Sequence, residues 1–106
     1  FRFALQTQNE KPELGVKFVM LEDEDGVILE LCEQANSSPQ IEDLMDFSKV
    51  GVKHIAFTVK DIDTILKKAE AAGISIIIPA KKGVVFKRTA FILDPNNIPI
   101  ELVEPT

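Results

Sequence analysis

The feature that most constrains this chain is that it contains one hairpin twice. KFVMLEDEDGVILELCE, Lys17 to Glu33, reappears as RTAFILDPNNIPIELVE, Arg88 to Glu104. The offset is 71 positions throughout. Asp23/Asp94, Glu30/Glu101, Leu31/Leu102 and Glu33/Glu104 are identical pairs, and Val27/Ile98, Leu29/Ile100, Met20/Phe91 and Leu21/Ile92 are similar ones. Each copy reads strand, acidic turn, strand with a glutamate in its middle. Such a repeat dictates architecture before any single residue is weighed. It predicts two similar half-domains in an α+β fold.

The second copy is preceded by a strand–helix unit, GVKHIAFTVKDIDTILKKAEAAG, Gly51 to Gly73. Val52 to Val59 alternates, with Lys53, Ile55, Phe57 and Val59 on one face and Val52, His54, Ala56 and Thr58 on the other. Asp61 is placed to cap a helix. Ile62, Ile65, Leu66, Ala69 and Ala72 then recur at helical spacing, and Gly73 ends the run. A helix that follows its strand directly covers one sheet face. The greasier face, with Ile55, Phe57 and Val59, is expected beneath it, which leaves His54 on the opposite face.

The first copy has no counterpart of this unit in the sequence, so the first half is entered after its first strand and helix. The expected organisation is a partial first module at 1–33, a linker at 34–50 and a second module at 51–106. Phe1–Gln6 reads as a strand, Thr7–Gly15 as a loop, and Val16–Leu21 and Val27–Cys32 as the strands around the first turn. Ile41, Leu44 and Met45 at helical spacing suggest a short helix over Pro39–Phe47. Ile74–Ile78 reads as a strand ended by Pro79, Ala80–Gly83 as a basic loop and Val84–Leu93 as a long strand. Asp94–Asn97 is a turn on composition, and Ile98–Val103 is the last strand, with Pro99 implying that its first residues are unpaired or at an edge.

Composition narrows the partners. The formal net charge is −5, with no basic stripe, which argues against nucleic acid and anionic membranes. No apolar run approaches the roughly 20 residues of a membrane span. One cysteine, Cys32, excludes an internal disulfide and fits a reducing, cytoplasmic setting. It reads as a packed apolar residue. Lys81, Lys82, Lys87 and Arg88 read as a solvated rim, and Glu33 and Glu104, near strand ends, as solvated charges.

The chemistry lies with three residues. Glu30 and Glu101 hold equivalent places in apolar strands, Ile-Leu-Glu-Leu and Pro-Ile-Glu-Leu. A carboxylate on a half-buried face needs a partner, a hydrogen bond or a cation. His54, the only histidine, shares a module with Glu101. Two carboxylates and an imidazole on one cavity suit a divalent metal such as Zn, Ni, Mn or Fe. By spacing alone, however, a single strand histidine is more often structural.

HIAFTVKDIDTILKKAEAAGI followed by RTAFILDPNNIPIELVE resembles the second module of the vicinal oxygen chelate superfamily. That superfamily includes glyoxalase I, methylmalonyl-CoA epimerase, fosfomycin resistance enzymes, extradiol dioxygenases and bleomycin-binding proteins. The resemblance implies paired βαβββ modules whose curved mixed sheets enclose a cleft. It implies His54, Glu101 and Glu30 as metal ligands, with a fourth from the first module's missing strand. Glu30 leans toward glyoxalase I-type lyase or isomerase chemistry, in which the metal chelates vicinal oxygens of a small substrate and stabilises an enediolate while Glu30 or Glu101 moves the proton. An epimerase acting on methylmalonyl-CoA and a non-enzymatic bleomycin-type binder are the alternatives. A homodimer is also implied.

Overall fold

The structure, a computed structural model, describes residues 3–39 and 41–106 of the 106-residue chain. Phe1 and Arg2, at the head of the expected first strand, and Gln40, in the expected short helix, lie outside the described residues. The elements are β1 (Phe3–Lys11), a 3-10 turn (Pro12–Leu14), β2 (Val16–Asp23), β3 (Ile28–Gln34), β4 (Ile55–Thr58), α1 (Ile62–Ala71), β5 (Ile76–Lys82), β6 (Arg88–Leu93) and β7 (Pro99–Glu104). The fold class is α+β, as the repeat predicts. The chain divides into two compact bodies, Phe1–Ser38 and Pro39–Thr106.

The first body is an antiparallel sheet in the order β1-β2-β3. Among its described residues there is no α-helix. The second body is a four-stranded sheet, β4-β7-β6-β5, with β4 parallel to β7 and the other pairs antiparallel. The repeat is reproduced bond for bond at the turns. The Asp23 carboxylate accepts from the N–H groups of Asp25 and Val27, and that of Asp94 from those of Asn96 and Ile98. Gly26 and Asn97, equivalent by the offset, both take positive φ, which glycine and asparagine tolerate best. The register matches as well: Met20 faces Glu30, and Phe91 faces Glu101.

Helix α1 begins and ends where its sequence signals place it. The Asp61 carboxylate accepts from the N–H groups of Asp63 and Thr64 and from the Thr64 hydroxyl. At the other end, Gly73 (φ 74°) donates to Glu70 O and Ile74 donates to Ala69 O. This double bond pattern closes a helix through a left-handed residue. The helix buries Ile62 and Ala69 and packs Ile65 and Leu66 against Val59, Ala90, Ile92 and Leu102. Fully burying a side chain such as Ile62 or Leu102 contributes about 1.5–3 kcal/mol.

Several boundaries differ from expectation. β1 runs to Lys11 through residues expected as loop, because pairing with β2 continues to Lys11↔Val16 across an irregularity between Leu5 and Thr7. β2 reaches Asp23, and β3 spans Ile28–Gln34 rather than Val27–Cys32. Residues 41–47 form turns rather than a helix, with the Asp43 and Asp46 carboxylates accepting from N–H groups two residues on. These local bonds compete with helical ones. β4 is only Ile55–Thr58. β5 runs through Pro79 to Lys82, because it is an edge strand that shifts register there. The long strand shortens to β6, and Val84 and Val85 are exposed. Pro99 opens β7 one position before its pairing with β4 starts at Ile100.

Candidate functional site

The sheet of the second body has two faces, and the register assigns residues to them. Ile55 lies beside Ile100 and Phe57 beside Leu102, on the side where Ile100 and Leu102 join the core beneath α1. Ala56 lies beside Glu101 and Phe91 opposite it, on the other side. His54, one residue before β4, shares the parity of Ala56. The histidine therefore lies on the face away from the helix, as its alternation predicts.

There it meets Glu101. The two are 47 positions apart, and His54 Nε2 lies 3.2 Å from Glu101 Oε1. Both are partly buried, at 25% and 17% side-chain exposure. The other carboxylate oxygen, Oε2, accepts a 2.7 Å hydrogen bond from the Thr89 hydroxyl, and Thr89 is buried. Phe91 packs edge-on to the imidazole with ring centroids 5.0 Å apart, and Phe47 lies tilted at 6.2 Å. His54 Nδ1 is buried without a hydrogen-bond partner among the described residues. Nε2 is thus the nitrogen that meets a polar group. When Nε2–H donates to the carboxylate, Nδ1 holds a bare lone pair.

This donor set fits a divalent cation. The 3.2 Å separation is a hydrogen-bond distance and also the edge between two donors each about 2.1 Å from one ion. One imidazole nitrogen and one carboxylate oxygen suit Zn, Ni, Mn or Fe. Among the described residues no group of three His, Cys, Asp or Glu side chains forms.

Glu30, the counterpart of Glu101, belongs to the first body. It lies opposite Met20 and is exposed. Its Oε1 accepts from the Cys32 thiol at 3.2 Å. That hydrogen bond, aided by desolvation and by the Glu30 charge, raises the pKa of the thiol. Cys32 is exposed, not packed as expected, because its face of β3 is uncovered at that position.

Glu104 and Arg88 also depart from expectation. Glu104 is 6% exposed, and its Oε2 accepts from the Ile62 N–H at 2.8 Å. It anchors the first turn of α1, as a carboxylate can at a helix N-terminus. Arg88 is not a free rim charge. It makes a two-pronged ion pair with Asp63 at 2.9 and 3.0 Å and reaches Glu104 at 3.7 Å. The pairing raises the pKa of the guanidinium and lowers that of the Asp63 carboxyl. Thr89 and Phe47 are site residues that motif reading passes over. The alternation of RTAFIL puts Thr89 and Phe91 on one face of β6 and Ala90 and Ile92 on the other.

The sequence model of the Glyoxalase/Bleomycin resistance protein/Dioxygenase superfamily matches residues 1–102. A glyoxylase/bleomycin resistance protein/dioxygenase domain from Frankia sp. EAN1pec is similar over 98% of this chain and 79% of that one, at 16% identity and a TM-score of 0.78. A glyoxalase family protein from Enterococcus faecalis is similar over 96% and 78%, at 22% identity and 0.75. The trypanothione-dependent glyoxalase I of Leishmania major is similar over 96% and 68%, at 23% identity and 0.71. Identities this low establish the fold. No curated protein matches the chain.

Proposed function

The chain belongs to the glyoxalase/bleomycin resistance protein/dioxygenase superfamily, and from that premise we propose that it is a divalent-metal-dependent lyase or isomerase of the glyoxalase I type. The observation that carries the reading is the His54–Glu101 pair, 3.2 Å apart on the sheet face away from α1. An imidazole and a carboxylate brought together there serve no purpose in the core, which lies on the other face. They would hold the ion.

When bound, such an ion polarises vicinal oxygens of the substrate and stabilises negative charge on them. The protein groups do the rest. A glyoxalase-type isomerisation takes a proton from one carbon and returns it to the neighbouring carbon. One carboxylate within reach of both can perform both transfers, and Glu101 is the group assigned to this. Phe47 and Phe91 flank the imidazole. The substrate class is a small molecule with adjacent oxygens, such as a hemithioacetal. A homodimer and a cytoplasmic location belong to the same proposal. Among the described residues no helix is long and apolar enough to cross a membrane.

Elemental analysis and calorimetric titration with Zn²⁺, Ni²⁺, Mn²⁺ and Fe²⁺ test the reading, with His54→Ala and Glu101→Ala beside the wild type. Stoichiometric metal in the wild type, lost in both folded variants, supports it, and hemithioacetal isomerisation is then the first assay. If no metal binds the wild type, the metalloenzyme reading fails and a bleomycin-type ligand-binding module remains.

A further inference from the structure

Glu101 is held by one bond that the fold does not require. Thr89 is 7% exposed, and its hydroxyl donates to Glu101 Oε2 at 2.7 Å, the usual length of a well-formed hydroxyl–oxygen bond. The other oxygen, Oε1, is the one that faces His54 Nε2. The two carboxylate oxygens therefore have different partners. We infer that Thr89 is a positioning residue: its hydroxyl fixes the rotation of the Glu101 carboxylate so that Oε1 alone is presented beside His54.

The repeat supplies the comparison that separates this role from packing. Residue 18 is the counterpart of Thr89, and it is a phenylalanine. It occupies the same register, opposite Cys32, as Thr89 opposite Val103. The strand thus accepts an apolar side chain at this place and has no structural need of a hydroxyl. Glu30, the counterpart of Glu101, has no such donor on the neighbouring strand. Its Oε1 accepts instead from Cys32, two residues along its own strand, and the group is exposed. Sulfur is a weak donor. One copy holds its glutamate by a buried hydroxyl and an imidazole, and the other by a thiol on an open surface.

A buried hydroxyl without its acceptor, or a buried carboxylate oxygen without its donor, carries a desolvation penalty. Thr89 and Glu101 satisfy one another, so neither is free to turn. Groups that orient a ligand in this way change metal affinity by about 10–100-fold when removed.

The inference rests on the metal-site reading for one of its two measurements and is independent of it for the other. The variants are Thr89→Val, which keeps the shape and removes the hydroxyl, and Thr89→Ser, which keeps the hydroxyl. Amide spectra confirm that both are folded. In the metal-free proteins, the ring signals of His54 are recorded by NMR at one fixed pH. The chain has a single histidine, so they are unambiguous. Thr89→Val is expected to shift these signals, and Thr89→Ser to restore them.

In the second measurement, Ni²⁺ is titrated by calorimetry. Thr89→Val is expected to bind roughly 10–100-fold more weakly than wild type, with Thr89→Ser within a few-fold of it. Valine with wild-type His54 signals, or serine displaced as far as valine, overturns the positioning role. Equal Ni²⁺ affinity in wild type and Thr89→Val overturns it as well. If the wild type binds no Ni²⁺, the metal reading is what fails, and the His54 signals decide Thr89 on their own.

Discussion

Replacing Glu104 by alanine tests the account of how the second body holds its helix. Glu104 is 6% exposed and gives the Ile62 N–H a 2.8 Å acceptor. The Asp61 carboxylate serves Asp63 and Thr64, not Ile62. Alanine therefore leaves a buried donor unsatisfied, at about 1–3 kcal/mol. It also removes a negative charge from the helix N-terminus, worth about 0.3–1 kcal/mol. The 3.7 Å contact with Arg88 adds little, because the guanidinium is about a third exposed and has Asp63 as a closer partner. The expected loss is about 1.5–4 kcal/mol, a large part of the roughly 5–15 kcal/mol that holds a domain together. Urea unfolding followed by circular dichroism at 222 nm reads this out, since the chain has no tryptophan or tyrosine for fluorescence. At a slope of about 1–2 kcal/mol per molar urea, the midpoint drops by roughly 0.8–4 M. Glu104→Gln keeps an acceptor oxygen and is expected to lose about 1 kcal/mol or less. An alanine variant within about 0.5 kcal/mol of wild type, a typical surface effect, would refute the anchoring role.

The repeat offers a matched pair of core substitutions. Leu102→Ala, at a fully buried position, is expected to cost about 2–5 kcal/mol in the same urea assay, whereas Leu31→Ala, its counterpart at 50% exposure, stays below about 1 kcal/mol. Equal losses would contradict the burial described for the two bodies. Acid is expected to loosen the start of α1. The Asp61 carboxyl is pulled below its usual range first by the Thr64 hydroxyl, and that of Asp63 by the hydrogen bond from Arg88. With folded values below the unfolded value of about 3.9, both contribute stability above that pH and lose it as pH falls through the folded values. The urea midpoint should fall below about pH 4 in wild type and flatten in the Asp61→Asn, Asp63→Asn double variant. A wild-type midpoint that does not move between pH 5 and 3 speaks against it.

Much of the fold is legible where the signal is local or repeated. The 71-residue offset carried the two hairpins, their turn bonds and the equivalence of Glu30 and Glu101. Strand parity carried His54 to the face away from α1, and Asp61 and Gly73 bounded the helix. These features depend on period, on turn chemistry and on φ, all of which short stretches of sequence encode. Ends of strands were less legible. Lys11 and Pro79 sit inside strands because a neighbour pairs with them, and Ile41, Leu44 and Met45 stay out of a helix because aspartates two residues before nearby N–H groups take those bonds.

The sequence by itself determined that one module appears twice, where its turns fall and which face each strand residue takes. Each follows from interactions within a few residues, or from a pattern that repeats. Only the tertiary structure decided that Glu104 is buried beneath the first turn of α1, that Arg88 is committed to Asp63, that Thr89 holds Glu101 and that His54 Nε2 stops 3.2 Å from its carboxylate. The partners lie 42, 25, 12 and 47 positions apart. The partner and burial of a polar side chain at such separations depend on how helix and sheet stack, and local sequence does not encode that.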